Sequence, residues 1–138
     1  LAVEVEYAVS VAVDKGEMRK RMKVLGELVI NEMRKLALDM GLVQTSDYAN
    51  GFFATARGDN VILFENRVSY AEALEFGTYS YASQYGESRF PDSPDPKKKD
   101  LPRDIAKRFP KGMQPFAVMR RVLFNSVLMN KLINQAFA

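Results

Sequence analysis

The sequence predicts an α+β fold: a small antiparallel sheet containing a β-hairpin, covered by a long N-terminal helix and a C-terminal helix, with a long basic, proline-rich loop before the last helix. Three observations predict it. Apolar residues alternate with period two at the N-terminus, then recur at spacings of three and four. Two strand-like runs farther on flank a Gly-Asp-Asn turn. The 138 residues suit one domain, and 47% of them are apolar, enough for a core that hides roughly 65 to 70% of the unfolded surface.

Val3, Val5, Tyr7, Val9, Val11 and Val13 alternate with Glu4, Glu6 and Ser10, which predicts a half-buried strand over Val3 to Val13. Asp14 followed by Glu17 matches a capping box, in which each side chain satisfies a free backbone N–H, so a helix is expected to begin there. Met18, Met22, Leu25, Val29, Met33, Leu36 and Met40 form its apolar stripe, and Gly41 is the expected C-cap. Flexible thioethers fill irregular gaps, so the methionines read as core; a promiscuous peptide groove is the minor alternative.

Phe52 to Arg57 and Val61 to Val68 are expected to pair as a hairpin through Gly58-Asp59-Asn60, residues that tolerate positive backbone angles. A short segment from Tyr70 to Phe76 stops at Gly77, and all six prolines then fall between Pro91 and Pro115. Residues 79–113 carry eight basic and five acidic side chains, an excess equal to the formal net charge of +3 of the whole chain. Long loops of this kind are usually functional or disordered. Pro115 fits the first turn of a closing helix to about Gln135, with Val118, Val122, Met129, Leu132 and Ala136 on one face. There is no internal repeat, and residues 1–138 read as a single domain.

Cys, His and Trp are absent, which excludes disulfides, the usual zinc and iron-sulfur sites, thiol nucleophiles and imidazole acid-base catalysts. A cysteine-free chain fits a reducing cytoplasm. No apolar stretch reaches the ~18 residues of a membrane span, and Leu1 to Asp14 carries Glu4 and Glu6 within its apolar pattern with no basic region ahead of it, unlike a secretory signal, so no membrane association is expected. Phosphate-binding loops, dinucleotide fingerprints and the nucleophile elbow are missing. Pro91-Asp92 has no Glu-x-Lys after it and does not make a nuclease motif.

Glu72 and Glu75, three apart, share one side of a helical turn and form the best carboxylate pair for holding a metal or moving a proton. The plainer reading is one solvated Glu and one bonded to backbone or a neighbouring Arg; no metal or cofactor and no enzymatic activity are expected. Lys97, Lys98, Lys99, Arg103, Lys107, Arg108 and Lys111 are candidates for contact with DNA or a neighbouring ring, because phosphate contacts release counterions. They equally make a solvated, solubilising loop. Tyr79, Tyr81 and Tyr85 precede them at a spacing that suits base stacking, a strand edge or a subunit contact.

Tyr70-Ala71-Glu72-Ala73-Leu74-Glu75-Phe76-Gly77-Thr78 closely resembles the Tyr-Ala-x-x-x-Glu-x-Gly-Thr signature of the phage tail-completion, or head-to-tail joining, proteins of long-tailed double-stranded-DNA phages. In that family a long helix and a hairpin precede the signature, and a Pro-Phe segment opening the last helix follows it, as Pro115-Phe116 does here. The resemblance spans roughly Glu17 to Ala138. The family's Asp-Thr-Gly-x-Leu-x-x-Ser stretch keeps little beyond Thr45 in Gln44 to Gly51, the proline-rich loop is longer than usual, and the N-terminal strand lies outside the common core.

The resemblance implies a non-enzymatic structural protein of the virion. It would form a homo-oligomeric ring, six-fold by analogy, at the head-tail junction, touching other neck and tail proteins with genomic DNA in its lumen, after synthesis in the bacterial host cytoplasm. Tyr70, Ala71, Glu75, Phe76, Gly77, Thr78, Pro115 and Phe116 would be its motif residues. Gly77 would permit a sharp reversal, Tyr70 and Phe76 would pack on the sheet, and Glu75 would bond backbone N–H groups or an Arg across a subunit boundary. The N-terminal strand would offer an edge for pairing with a second subunit. Two other readings stay open: a monomeric DNA-binding module using the Lys-rich loop, and an enzyme using Glu72 and Glu75.

Overall fold

The computed structural model describes residues 3–42, 47–77 and 116–138. They form, in chain order, β1 (Val3–Ala8), α1 (Lys15–Asp39), α2 (Asp47–Asn50), β2 (Phe52–Ala56), β3 (Val61–Asn66), α3 (Ala71–Phe76), α4 (Val118–Leu123) and α5 (Ser126–Ala136). The architecture is α+β. A three-stranded antiparallel sheet in the order β1-β3-β2 has α1 and α2 between its first two strands in sequence and α3 to α5 after its last. The proline-rich loop expected over 79–113 lies outside the described residues.

β1 ends sooner than its alternating pattern. Its last ladder partner is Val61, the first residue of β3, so the residues after Ala8 have no strand to pair with. The hairpin tip closes the ladder: the Val9 N–H donates to Asn60 O, and Asn60 Nδ2 donates to Val9 O, both at 3.0 Å. Val9 is still buried, while Val13 is exposed. The alternation therefore reports burial beyond the point where strand geometry stops.

The hairpin forms where expected, with Ala56 opposite Ile62 and the Arg57 N–H donating to Val61 O at 2.9 Å. It does so without positive backbone angles, because among the described residues only Gly41, Gly77 and Ala117 adopt them. The three-residue tip is instead tied sideways, through Asn60 to Val9 and through Asp59 to Arg19 at 2.6 Å. The Arg19 guanidinium beside it lowers the Asp59 carboxyl below its usual value. Asn66 ends β3: it is fully buried, donates from Nδ2 to Tyr48 O at 2.9 Å, and accepts the Val68 N–H at 3.1 Å.

α1 starts as the capping residues predict, with Asp14 Oδ1 accepting the Glu17 N–H at 2.8 Å. At its other end Met40 is the cap and Gly41 follows it, at a φ of 72°. The Gly41 N–H reaches Leu38 O and the Leu42 N–H reaches Ala37 O, each at 3.0 Å, the reciprocal pattern that satisfies the last carbonyls. Gly26, in mid-helix, faces the sheet. A Cβ there would stand 3.2 Å from Ala54 Cβ and 3.7 Å from Ile62 Cδ1, so its small size lets α1 approach β2 and β3 closely.

The last helix is two helices. α4 ends at Phe124, and Asn125 caps α5 by accepting the Leu128 N–H at 3.1 Å. A single helix was expected because Val118, Val122, Met129, Leu132 and Ala136 keep one phase; all five are buried in spite of the break. Pro115 lies outside the described residues, and helical geometry begins at Val118 rather than at a proline. α4 and α5 pack chiefly on α1 rather than lining the sheet as a second cover. α1 is thus buried along a wide stripe, with Gly26 on the sheet side and Arg21 reaching Ala136 O on the other at 3.4 Å.

Gly51 provides a sharp test of this packing. A Cβ at Gly51 would lie 2.8 Å from both Asn66 Oδ1 and Asp47 O, whereas one at Gly58 would meet nothing within 4 Å. Gly51→Ala is expected to lower unfolding stability by about 1–3 kcal/mol through overpacking. Gly58→Ala should stay within about 0.5 kcal/mol. Urea denaturation midpoints of the two variants check this; equal midpoints would contradict the crowding at Gly51.

Candidate functional site

Of the residues that carry the family resemblance, Tyr70, Ala71, Glu75, Phe76, Gly77 and Phe116 are described, and they lie where α3 meets α4. Thr78 and Pro115 lie outside the described residues. So do Lys97, Lys98, Lys99, Arg103, Lys107, Arg108 and Lys111, together with Tyr79, Tyr81 and Tyr85.

α3 is a short helix whose C-cap, Gly77, has a φ of 79°, a conformation that favours glycine and turns the chain away. The start of α4 comes back alongside it. Leu74 O accepts the Phe116 N–H at 2.8 Å and the Ala117 N–H at 3.2 Å. Ala117 is in the left-handed region, with a φ of 52°, and α4 has no side-chain cap from its own N-cap residue. Its free N–H groups are supplied from α3. Glu75 Oε1 accepts the Met119 N–H at 2.9 Å and Oε2 the Arg120 N–H at 3.3 Å, so the carboxylate sits where the helix dipole favours negative charge.

Arg120 completes the arrangement. Its Nε donates to Glu75 Oε2 at 2.7 Å, a second guanidinium nitrogen donates to the Glu75 carbonyl, and Cζ stands 4.5 Å over the centre of the Phe76 ring. The side chains of Glu75 and Arg120 are only 1% and 5% exposed. Arg121 Nε adds a bond to Phe116 O at 2.7 Å. Burial of a charged pair costs several kcal/mol per ion before attraction is counted. The two backbone N–H groups, the guanidinium and the ring offset that cost at one point in the fold.

The paired-carboxylate reading does not match this geometry. Both Glu75 oxygens are engaged by α4, and among the described residues no three of Asp, Glu, His or Cys gather as a metal-holding group. Glu72 is half-buried. The alternative reading, a Glu bonded to backbone and to Arg, describes Glu75, with an Arg of the same chain. Tyr70 and Phe76 are partly buried against the core, but each faces another element: the Tyr70 ring lies 6.3 Å from that of Tyr48 in α2, and Phe76 lies under Arg120.

Arg120 and Tyr48 are the residues that sequence reasoning missed. An Arg amid the apolar spacing of Val118, Met119, Val122 and Leu123 was the available signal, since a buried charge requires a partner. Tyr48 is 1% exposed and packs edge-on to Phe52 at 5.0 Å. Its burial, then the negative charge of Glu75 and then Tyr70, push its phenol well above the ordinary value of 10.0.

A second feature lies outside the signature. A groove of about 560 Å³ runs between the C-terminal part of α1 and the α4-α5 junction, with Leu36, Met40, Val122 and Leu128 among its apolar lining and Lys35 and Asp39 among its charges. Phe124 at this junction is 59% exposed.

Two outcomes follow from the buried cluster. Glu75→Gln leaves Arg120 buried without a countercharge and should cost about 3–5 kcal/mol in urea unfolding; the double variant Glu75→Leu, Arg120→Met should recover much of that loss. A Glu75→Gln variant as stable as the parent would show the pair to be dispensable. A tyrosine whose folded pKa is raised holds its proton more tightly when folded. Its contribution to stability is therefore full below the unfolded value near 10.0 and falls as pH rises through that value toward the folded one. Thermal scans over that alkaline window should show a steeper decline for the parent than for Tyr48→Phe.

No protein-family model, no curated protein and no solved structure matches this chain.

Proposed function

We propose that this protein is a non-enzymatic structural component of a long-tailed phage virion, a subunit of a homo-oligomeric ring at the head-tail junction. The signature from Tyr70 to Thr78 carries the reading, supported by the role of its glutamate. A joining protein needs its acidic residue to hold shape rather than to react, and Glu75 spends both oxygens on α4. No exposed acid is left at that position for proton transfer.

The sheet adds support. Among the described residues β1 and β2 are the edge strands of the sheet, the kind of element through which another chain can pair. Heterologous contact through such edges closes into a ring when the rotation per subunit divides a full turn. Six copies are the number implied by the resemblance. The other partners on this reading are neck and tail proteins, and genomic DNA crosses the lumen. Among the described residues no helix is long and apolar enough to cross a membrane.

Native mass spectrometry and electron microscopy of the purified chain should reveal a closed ring, and particles should contain the protein at the neck. A chain that stays monomeric and is missing from particles would sink the reading. The same preparation separates the rival DNA-binding module: a monomer whose DNA affinity falls with salt, with a slope flattened by Lys97→Ala, Lys98→Ala and Lys99→Ala together, would favour it.

A further inference from the structure

The two edge strands of the sheet differ in what they present. β1 carries Glu4 and Glu6, both exposed, on the face turned away from α1, where the ladder sets them opposite Glu65 and Leu63. β2 carries no charge and no proline, and its register with β3 runs from Phe52 to Ala56 without a bulge. Charges, prolines and bulges are the devices that keep an edge strand from recruiting another strand. Four of the five residues of β2, Phe53 to Ala56, are exposed, and Phe53 is 51% exposed. On the α1 side, level with Phe64 and Ile62, β2 shows the small side chains of Ala54 and Ala56, and β1 shows the half-buried Val5 and Tyr7. On the other side β2 shows Phe53 and Thr55, and Arg57, exposed, extends that row through its N–H bond to Val61 O. Each face of β2 thus matches a face of β1: alanines against larger apolar groups, and a cation against two carboxylates.

We propose that β2 of one copy receives β1 of the neighbouring copy as a parallel pair, continuing the sheet from subunit to subunit. This pairing presupposes the homo-oligomer proposed above and specifies the two surfaces that meet in it. Both strands run antiparallel to β3 and hence parallel to each other, so a copy turned about an axis roughly along the strands brings its β1 to β2 in the same direction and with the same face outward. Glu4 and Glu6 of the incoming strand then lie beside Thr55 and Arg57, and Val5 with Tyr7 covers the alanines. Opposite charges on neighbouring strands favour this arrangement. A slip of one residue would move both glutamates to the apolar side, so the alternation restricts the register to steps of two. Pairing of β2 with its own twin matches less well, because β2 holds no acid to meet Arg57.

The chain has no cysteine, so single introduced thiols report contacts cleanly. Full-length Glu4→Cys and Thr55→Cys chains, produced together in one cell and treated with a short bismaleimide, should yield a linked heterodimer, whereas neither chain produced alone should link to itself. Separately, Arg57→Glu should raise the dissociation constant of the oligomer at least tenfold with circular dichroism unchanged, and adding Glu6→Arg to the same chain should restore assembly. Linking of Thr55→Cys to itself overturns the proposal in favour of paired β2 strands. An oligomer that forms no link in the mixture, or Arg57→Glu chains that assemble as the parent does, overturns it while the ring reading stands. A parent chain that native mass spectrometry finds monomeric overturns both.

Discussion

A buried carboxylate governs the arrangement of this protein. Glu75, on the last turn of a six-residue helix, faces the start of another six-residue helix that cannot cap itself, since Ala117 offers no side-chain acceptor and holds a left-handed backbone. Short helices gain little from propensity, so α4 exists because its first N–H groups find an acceptor and because Val118, Met119, Val122 and Leu123 are buried. Arg120 balances the charge and doubles back to the backbone of its partner. Helix start, charge neutralisation and chain crossing are thus satisfied by one pair of side chains.

The surroundings of that pair are built to keep it dry. Phe76 lies under the guanidinium, and Tyr48, whose phenol feels the charge of Glu75, packs edge-on to Phe52 and tilted against Tyr70. Asn66 ties the end of the central strand to the carbonyl of Tyr48, so the sheet and the aromatic cluster share a fixed distance. Gly51 is required for the same reason, as the space a Cβ would need is taken by Asn66 and by the backbone of α2. Water exclusion strengthens each electrostatic contact inside. A residue type that elsewhere does chemistry is used here as a fastening, which is the physical content behind proposing a structural rather than an enzymatic role.

Much of the fold was legible because it depends on local periodicity. The Met-rich stripe and the Asp14 capping box define α1, and the spacing around Gly58 defines the hairpin, since each rests on neighbours a few residues apart. The candidate site was only half legible. Glu75 stood out through its motif, and bonding to backbone and Arg was one of the uses open to it, but its partner lies far along the chain and no local pattern pairs the two. The break at Asn125 was missed because the apolar phase runs through it, although an Asn before a Ser is a capping signal in its own right. β1 was read too long because alternation continues wherever one face is buried, whether or not a partner strand is present.

By itself the sequence determined the first strand, the hairpin, the start of α1, the turn at Gly77 and the exclusion of thiol, imidazole and disulfide chemistry, since those follow from residue identity and short-range geometry. Only the tertiary structure decided that β3 is the central strand, that α4 and α5 lean on α1, and that Glu75 and Arg120 satisfy each other. Such choices are made by contacts between residues distant in the chain. Their energy depends on burial and on the meeting of partners in space, quantities that no spacing along a single segment encodes.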